Sequence, residues 1–274
     1  MSGSSAMAPH HLLVSMLLGL AGLALLAGVA AGAKLPDEAE EEEEEKNQMR
    51  VNHGKFAPGP WTVGHATFYG GRDGSGTKEG ACGYKDTAAE GFGVQTAAVG
   101  PSLFSHGAGC GACFELKGVE GPLAGKTTVV TATNEGPPAV SGKQGEHFDL
   151  TMPAFLQIAE EKAGIVPVSY RKVPCVRQGG IRYTITGNKF YNSVMVTNVG
   201  GAGDVVELSV KGNKRVKWTP LQRSWGQTWQ TGVDLTGESL TFRVMTGDHR
   251  KATSWHVMPP DWQFGKTYQA AKNF

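Results

Sequence analysis

The sequence holds no Asn-x-Ser/Thr triplet, which excludes N-linked glycosylation. After residue 33 it has no apolar run long enough to span a bilayer, which excludes an internal membrane helix. It shows no tight basic cluster of the kind that marks nucleic-acid binders, so that class of partner is not expected. No segment repeats, which excludes solenoids and propellers. Net charge is small, +1, but unevenly spread. Residues 1–33 carry no charge, and residues 34–59 carry eight acids against four bases. Residues 60–274 hold twenty-two bases against seventeen acids, a net of +5. A weakly basic body suits acidic surroundings such as a charged polysaccharide.

What is present begins with an apolar stretch, residues 12–33, ending in the small-x-small run Ala31-Gly32-Ala33. Residues 1–33 are therefore expected to be a signal peptide cleaved after Ala33. The lack of Lys or Arg ahead of the run, and its length, keep an uncleaved anchor as the alternative. Residues 37–46 are almost wholly charged and offer no core-forming side chain, so 34–60 reads as an exposed acidic linker. Four cysteines follow: Cys82, Cys110, Cys113 and Cys175. In a secreted chain an even number argues for disulfides. Cys110-Gly-Ala-Cys113 is also a CxxC, so zinc or redox chemistry stays open, although Cys82 and Cys175 lack the close spacing of a zinc ribbon.

Two units are expected. In residues 61–178, glycines crowd positions 64–93 as in loops and short strands, and 127–133 is a β-branched strand. The pattern predicts one helix over 151–164, capped by Thr151 and ended by Gly164, with Phe155, Ile158, Ala159 and Ala163 on one face. Strand returns over 166–176. Many strands with one helix suggest a small β-barrel. In residues 179–270, Val206, Leu208 and Val210 alternate with Val205, Glu207 and Ser209, and Leu240, Phe242 and Val244 with Thr241, Arg243 and Met245. That is the pattern of an all-β sandwich without helices.

The chemistry concentrates in three places. In Gly145-Glu146-His147-Phe148-Asp149-Leu150, a strand would turn Phe148 into the core and His147 with Asp149 toward a groove. Asp149 beside an aromatic surface could then act as a protonated acid toward a glycosidic oxygen. The alternative is a carboxylate satisfying free backbone N–H groups at a helix start. Upstream, Thr67 and Tyr69 share a strand face and Asp73 follows in a loop, a set able to bind sugar hydroxyls; a plain strand and turn is the alternative. Lastly, five of the six tryptophans (Trp218, Trp225, Trp229, Trp255 and Trp262) fall in the second unit beside Tyr183, Tyr191 and Tyr268. A small sandwich rarely hides so many rings, so one or more should be exposed as a flat platform for sugar stacking. For any single tryptophan, a core position is the alternative.

In order and spacing, eight stretches resemble the plant expansins, nearest to the alpha type, over residues 61–270. They are Ala66-Thr-Phe-Tyr-Gly-Gly71, Gly80-Ala-Cys-Gly-Tyr84, Cys110-Gly-Ala-Cys-Phe-Glu115, His147-Phe-Asp149, Val173-Pro-Cys-Val176, Gly179-Gly-Ile-Arg182, Val196-Thr-Asn-Val-Gly-Gly-Ala-Gly-Asp204 and Ser224-Trp-Gly-Gln-Thr-Trp-Gln230. The resemblance implies an all-β, two-domain fold: a six-stranded double-psi β-barrel similar to family 45 endoglucanases, then an immunoglobulin-like β-sandwich that binds cellulose. It implies secretion to the plant cell wall, with a peripheral place at the membrane as a further option. The implied activity is loosening of the wall by disrupting non-covalent contacts between cellulose and matrix glucans such as xyloglucan. No hydrolysis, cofactor or metal is implied, and a monomer is expected. By motif, Thr67, Tyr69, Asp73, His147 and Asp149 would line the barrel groove with Asn134 nearby. Tyr191 and Trp225 would form the cellulose platform, with Trp229 beside them. The disulfides would pair Cys82–Cys110 and Cys113–Cys175, as in beta-type relatives.

Two departures accompany the resemblance. In the endoglucanases the general base follows the Thr-x-Tyr pair by two residues, and here that place is Gly71. Loss of a general base costs about 10²–10⁴-fold in rate. Asp73 lies two residues further on, so a weak inverting β-1,4-endoglucanase is the alternative activity. Alpha members also carry more cysteines in the first domain: Lys117-Gly118 and Asn134-Glu135-Gly136 stand where they have Cys, and the segment before His147 is shortened.

Overall fold

Strand β1 (Thr62–Tyr69) organises the first unit because it pairs with strands from two distant parts of the chain. A computed structural model of the protein describes residues 55–139 and 144–274, with Ala39, Glu40, Glu43 and Gly142. The expected signal peptide and most of the acidic linker lie outside the described residues. With β2 (Thr96–Val99), β3 (Cys113–Gly118), β4 (Thr127–Glu135), β5 (Glu146–Thr151) and β6 (Val166–Val173), β1 closes a barrel in the order β1-β5-β2-β4-β3-β6. Alternation sends Ala66, Phe148 and Leu150 into its core, where Phe148 meets Phe114 and Tyr170 at ring-centroid distances of 5.5 and 4.8 Å. Each fully buried aromatic of this kind is worth about 1.5–3 kcal/mol.

The helix expected over 151–164 is not formed as such. Helix covers only Met152–Phe155, and a 3-10 turn covers Glu161–Ala163. Glu160 between them is extended, with φ −80° and ψ 146°. Burial wins over helical continuity: Phe155 and Ile158 are fully buried in the barrel core, and the backbone of Gly118 packs directly against Ile158. Thr151 precedes the helix, but its hydroxyl donates to the Val94 carbonyl instead of capping. A second short helix, Pro101–Phe104, was not expected.

The second unit is a β-sandwich with no helix among the described residues. One sheet, in the order β10-β9-β13-β14, is built from β9 (Val205–Lys211), β10 (Thr219–Pro220), β13 (Leu240–Thr246) and β14 (Lys251–Met258). The other, β11-β12-β8-β7-β15, uses β7 (Arg182–Asn188), β8 (Tyr191–Thr197), β11 (Gln222–Trp225), β12 (Thr228–Thr231) and β15 (Thr267–Gln269). Between the sheets Tyr183 stacks on Phe242 at 4.6 Å. The tail beyond residue 270 is tied in as well, since Asn273 hydrogen-bonds Gly179, Asn198 and Gly200.

All four cysteines are oxidised, as Cys82–Cys110 and Cys113–Cys175, which removes the zinc and redox alternatives. The linked residues are 28 and 62 apart, and loop-closure entropy alone would give about 3.6 and about 4.3 kcal/mol.

Barrel and sandwich meet backbone to backbone. A β-carbon on Gly203 would lie 2.3 Å from the Gly111 carbonyl, and one on Gly107 would lie 2.7 Å from Gly226. All four glycines have φ between +50° and +91°, a region costly to any other residue. Around this seam Gln227 donates to the Cys110 carbonyl, Thr197 donates to Glu90, and Lys172 pairs with Asp204 at 2.7 Å.

Candidate functional site

The two polar stretches meet. Strands β1 and β5 run parallel with Thr67 opposite Asp149, His65 opposite His147 and Tyr69 opposite Thr151. The Thr67 hydroxyl donates to Asp149 Oδ1 at 2.7 Å and lies 3.1 Å from His147 Nε2. With its one proton committed to the carboxylate, Thr67 can only accept from the imidazole, so His147 carries its proton on Nε2. Nδ1 of His147 has no hydrogen-bond partner among the described residues, as suits a neutral ring. Burial, then the neighbouring His65 ring 4.9 Å away, push His147 below its ordinary pKa, against the charge of Asp149. His147 is only 1% exposed, so it backs the groove and does not line it, contrary to expectation. Asp149 sits inside β5, two residues before its end, and its hydrogen bond goes to Thr67 on the neighbouring strand β1 rather than to a helix start.

Tyr69 extends the same row. Burial and the Asp149 carboxylate raise its pKa, outweighing a hydrogen bond with Thr96, so it remains a phenol. Asp73 lies in the exposed loop after β1 and turns back: its Oδ1 accepts the Ser75 N–H at 3.0 Å and sits 2.7 Å from where a β-carbon on Gly71 would lie. Hydrogen bonds from Ser75 hold its carboxyl below the usual range. Asn134 is engaged, accepting the Ala81 N–H at 2.6 Å.

That contact leads to the sandwich. Residues 80–83 run from Asn134 to Trp225: a β-carbon on Gly80 would meet Asn134, and one on Gly83 would lie 3.0 Å from the Trp225 ring. Cys82 within this segment is held by its disulfide to Cys110. A cleft of about 470 Å³ lies here, bounded by Gly83, Lys85 and Glu90 of the barrel and by Thr186, Met195 and Trp225 of the sandwich. Trp225 is 52% exposed and Tyr191 49%, both on the sheet that faces this cleft. The Tyr191 hydroxyl donates to Gln230 at 2.6 Å, which steadies the ring.

Trp229, expected beside them, is 3% exposed and packs in the sandwich core, with Arg223 over its ring at 4.3 Å. The cause is the turn at Gly226-Gln227. Trp225 pairs with Thr228 across it, so Trp229 points to the opposite face. Trp262 is also buried, and Trp218 and Trp255 are half-buried. Sequence reasoning missed the segment 80–83 as a bridge; its two glycines, flanking a cysteine, were the signal available.

A closed six-stranded barrel with a hydroxyl, phenol and carboxylate row, locked to a sandwich that exposes rings on one sheet, defines a class of two-domain all-β proteins. Comparison with known proteins agrees. The Expansin C-terminal domain family matches residues 181–259, and a family described as Lytic transglycolase matches residues 96–170. Expansin-A26 of Oryza sativa subsp. japonica is 74% identical over 225 residues, covering 82% of this chain and 76% of that protein. Expansin-A32 of the same plant is 66% identical over 262 residues, covering 91% and 94%. The chain belongs to the expansin family. Among solved structures, the apo expansin of Clavibacter michiganensis aligns with a TM-score of 0.62 at 22% identity, covering 78% of this chain and 98% of that one, and so supports the fold. A mutant of that bacterial protein, solved in complex with cellohexaose, aligns at 0.61 and 21% identity over the same shares.

Proposed function

We propose that this expansin loosens plant cell walls by gripping two polymers at once. The barrel holds a matrix glucan such as xyloglucan along Tyr69, Thr67 and Asp149, with Asp73 and Asn134 at the margins. The sandwich stacks on cellulose through Trp225 and Tyr191. Hydroxyl, phenol and carboxylate groups replace glucan–glucan hydrogen bonds, while the rings cover the apolar faces of the sugars. The cellohexaose held by the bacterial protein of the same fold supports a glucan as ligand. The protein acts outside the cell as a monomer, after removal of the apolar N-terminus, and needs no cofactor.

The observation that carries the non-hydrolytic part is the turn after β1. Inversion at a glycosidic bond needs an acid and a base. Position 71 has no side chain, and the space a side chain would take is filled by Asp73 and Ser75. Asp73 itself is fixed by Ser75 and held more acidic than usual, which makes it a poor base. One preparation decides the matter. Heat-killed walls under load should creep with the wild-type protein and release no new reducing ends. Asp149→Asn should lower creep by roughly tenfold or more, the worth of one charge-assisted hydrogen bond. Undiminished creep would remove the carboxylate from the account. Reducing ends that vanish with Asp149→Ala would establish the weak endoglucanase instead.

A further inference from the structure

A cleft of about 440 Å³ opens on the side of the barrel away from the polar row. In the closed strand order, β4 and β3 stand opposite β1 and β5. The floor of the cleft is the outer face of three neighbouring strands, β4, β3 and β6. Thr131, Cys113 and Val173 form one rung of that face, and Val129, Glu115 and Arg171 form the next. Phe92 and Gln95, just ahead of β2, add to the lining, as do Val176 and Arg177 of the segment that leads into the sandwich.

Charge in this cleft does not balance. Glu115 accepts both Nε and Nη2 of Arg171 at 2.7 Å, so that pair cancels. Arg177 is left over. It donates from Nη2 to the Thr131 hydroxyl at 2.9 Å, and its guanidinium lies 4.8 Å over the Phe92 ring. Its Nε is buried without a hydrogen-bond partner, and no acid pairs with it among the described residues. A half-buried guanidinium without a counter-ion is costly to keep. Gln95 adds a neutral donor: its Oε1 accepts the Thr128 hydroxyl at 3.1 Å, which leaves Nε2 uncommitted among the described residues. Beside these donors the surface is apolar, with Val129 48% and Val176 85% exposed.

We propose that this cleft binds a small monocarboxylate with an apolar body, such as an aromatic acid. The carboxylate pairs with Arg177 and accepts from Gln95, and the body lies against Val129, Val173 and Val176. One surplus cation matches a single negative charge, whereas a phosphate dianion overshoots it. A neutral sugar is a poor match, because Phe92 is buried beneath Arg177 and the valines offer hydroxyl groups no partner. The site stands apart from the groove and the aromatic platform, so it does not depend on the function proposed above.

The test titrates the whole chain by calorimetry with cinnamate, with its neutral amide cinnamamide and with inorganic phosphate. Cinnamate should fill one site, with the amide and phosphate each weaker by about tenfold or more. Arg177→Met should weaken cinnamate by a similar factor. Because Arg177 is half-buried and its loss could disturb the barrel, Val176→Asp is the second variant. It alters an exposed side chain of the same cleft, and should weaken cinnamate roughly fivefold while thermal melt and wall creep stay as in wild type. No saturable cinnamate binding, an amide or phosphate as tight as the acid, or Val176→Asp binding like wild type would overturn the proposal.

Discussion

The barrel and the sandwich offer surfaces of different kinds. In the barrel the polar groups are wired to one another across neighbouring strands: His147 to Thr67, and Thr67 to Asp149. In the sandwich the rings of Trp225 and Tyr191 stand about half exposed, one edged by Gly83 of the barrel and the other tied to Gln230, with no titrating group wired to either. A wired site depends on protonation and on strand register. An aromatic platform depends on exposed area and flatness. Substitutions should therefore separate the two by readout as well as by size.

The largest effect is expected where both depend on one contact. Gly203→Val would drive a side chain into the Gly111 carbonyl and the Cys175 sulfur at a residue with φ +80°. It should destabilise the protein by more than about 4 kcal/mol and lower Tm by roughly 10 °C in thermal melts. A melt within about 2 °C of wild type would mean that the seam yields. Next, Trp229→Ala should cost about 3–5 kcal/mol by leaving a hole in the core. Trp225→Ala, on the same sheet, should leave the melt nearly unchanged but lower cellulose retention about tenfold, the equivalent of about 1.4 kcal/mol. Equal pull-down of Trp225→Ala and wild type would move the platform elsewhere on the sheet.

The smallest effect belongs to the wired site and is one of pH. His147 is held below its ordinary value of 6.5 in the folded chain, so the unfolded chain takes up its proton first as pH falls. The stability linked to this ring is complete above about pH 6.5 and is lost as pH drops from there through the depressed folded value. His147→Gln should flatten the decline in stability between about pH 7 and pH 5 relative to wild type. Parallel curves for the two proteins would show that the imidazole is not the group responsible. Wild-type His147 should also show the Nε2–H tautomer by nitrogen chemical shifts, and Thr67→Val should abolish that preference.

Much of this was legible in sequence because strands write themselves in twos. Alternation identified Phe148 as core and the β13 face correctly, and Leu208 and Val210 in β9, but at the start of β9 Val205 is buried in place of Val206, where the register against β13 shifts. The pairing of β1 with β5 was not legible, because nothing local in residues 62–69 specifies a neighbour some eighty positions away. Trp229 was misplaced because the turn at Gly226-Gln227 resets the alternation between two rings four residues apart. His147 was expected in the groove on the same parity as Asp149, yet it ends up beneath Thr67, a matter of depth that alternation does not encode. The helix over 151–164 had a good periodic face, but it stops at Phe155, and Phe155 and Ile158 are buried in the barrel core ahead of an extended Glu160.

The glycine seam has a mechanical consequence. Glycine backbone packs on glycine backbone across the joint, with no room there for even a β-carbon, which leaves the two halves little slack through which to swing. Such a joint suits a stiff wedge better than a pair of jaws: were the two polymers held as proposed above, a body of fixed span would occupy the gap that opens when load slides one past the other, and the wall under tension would supply the motion.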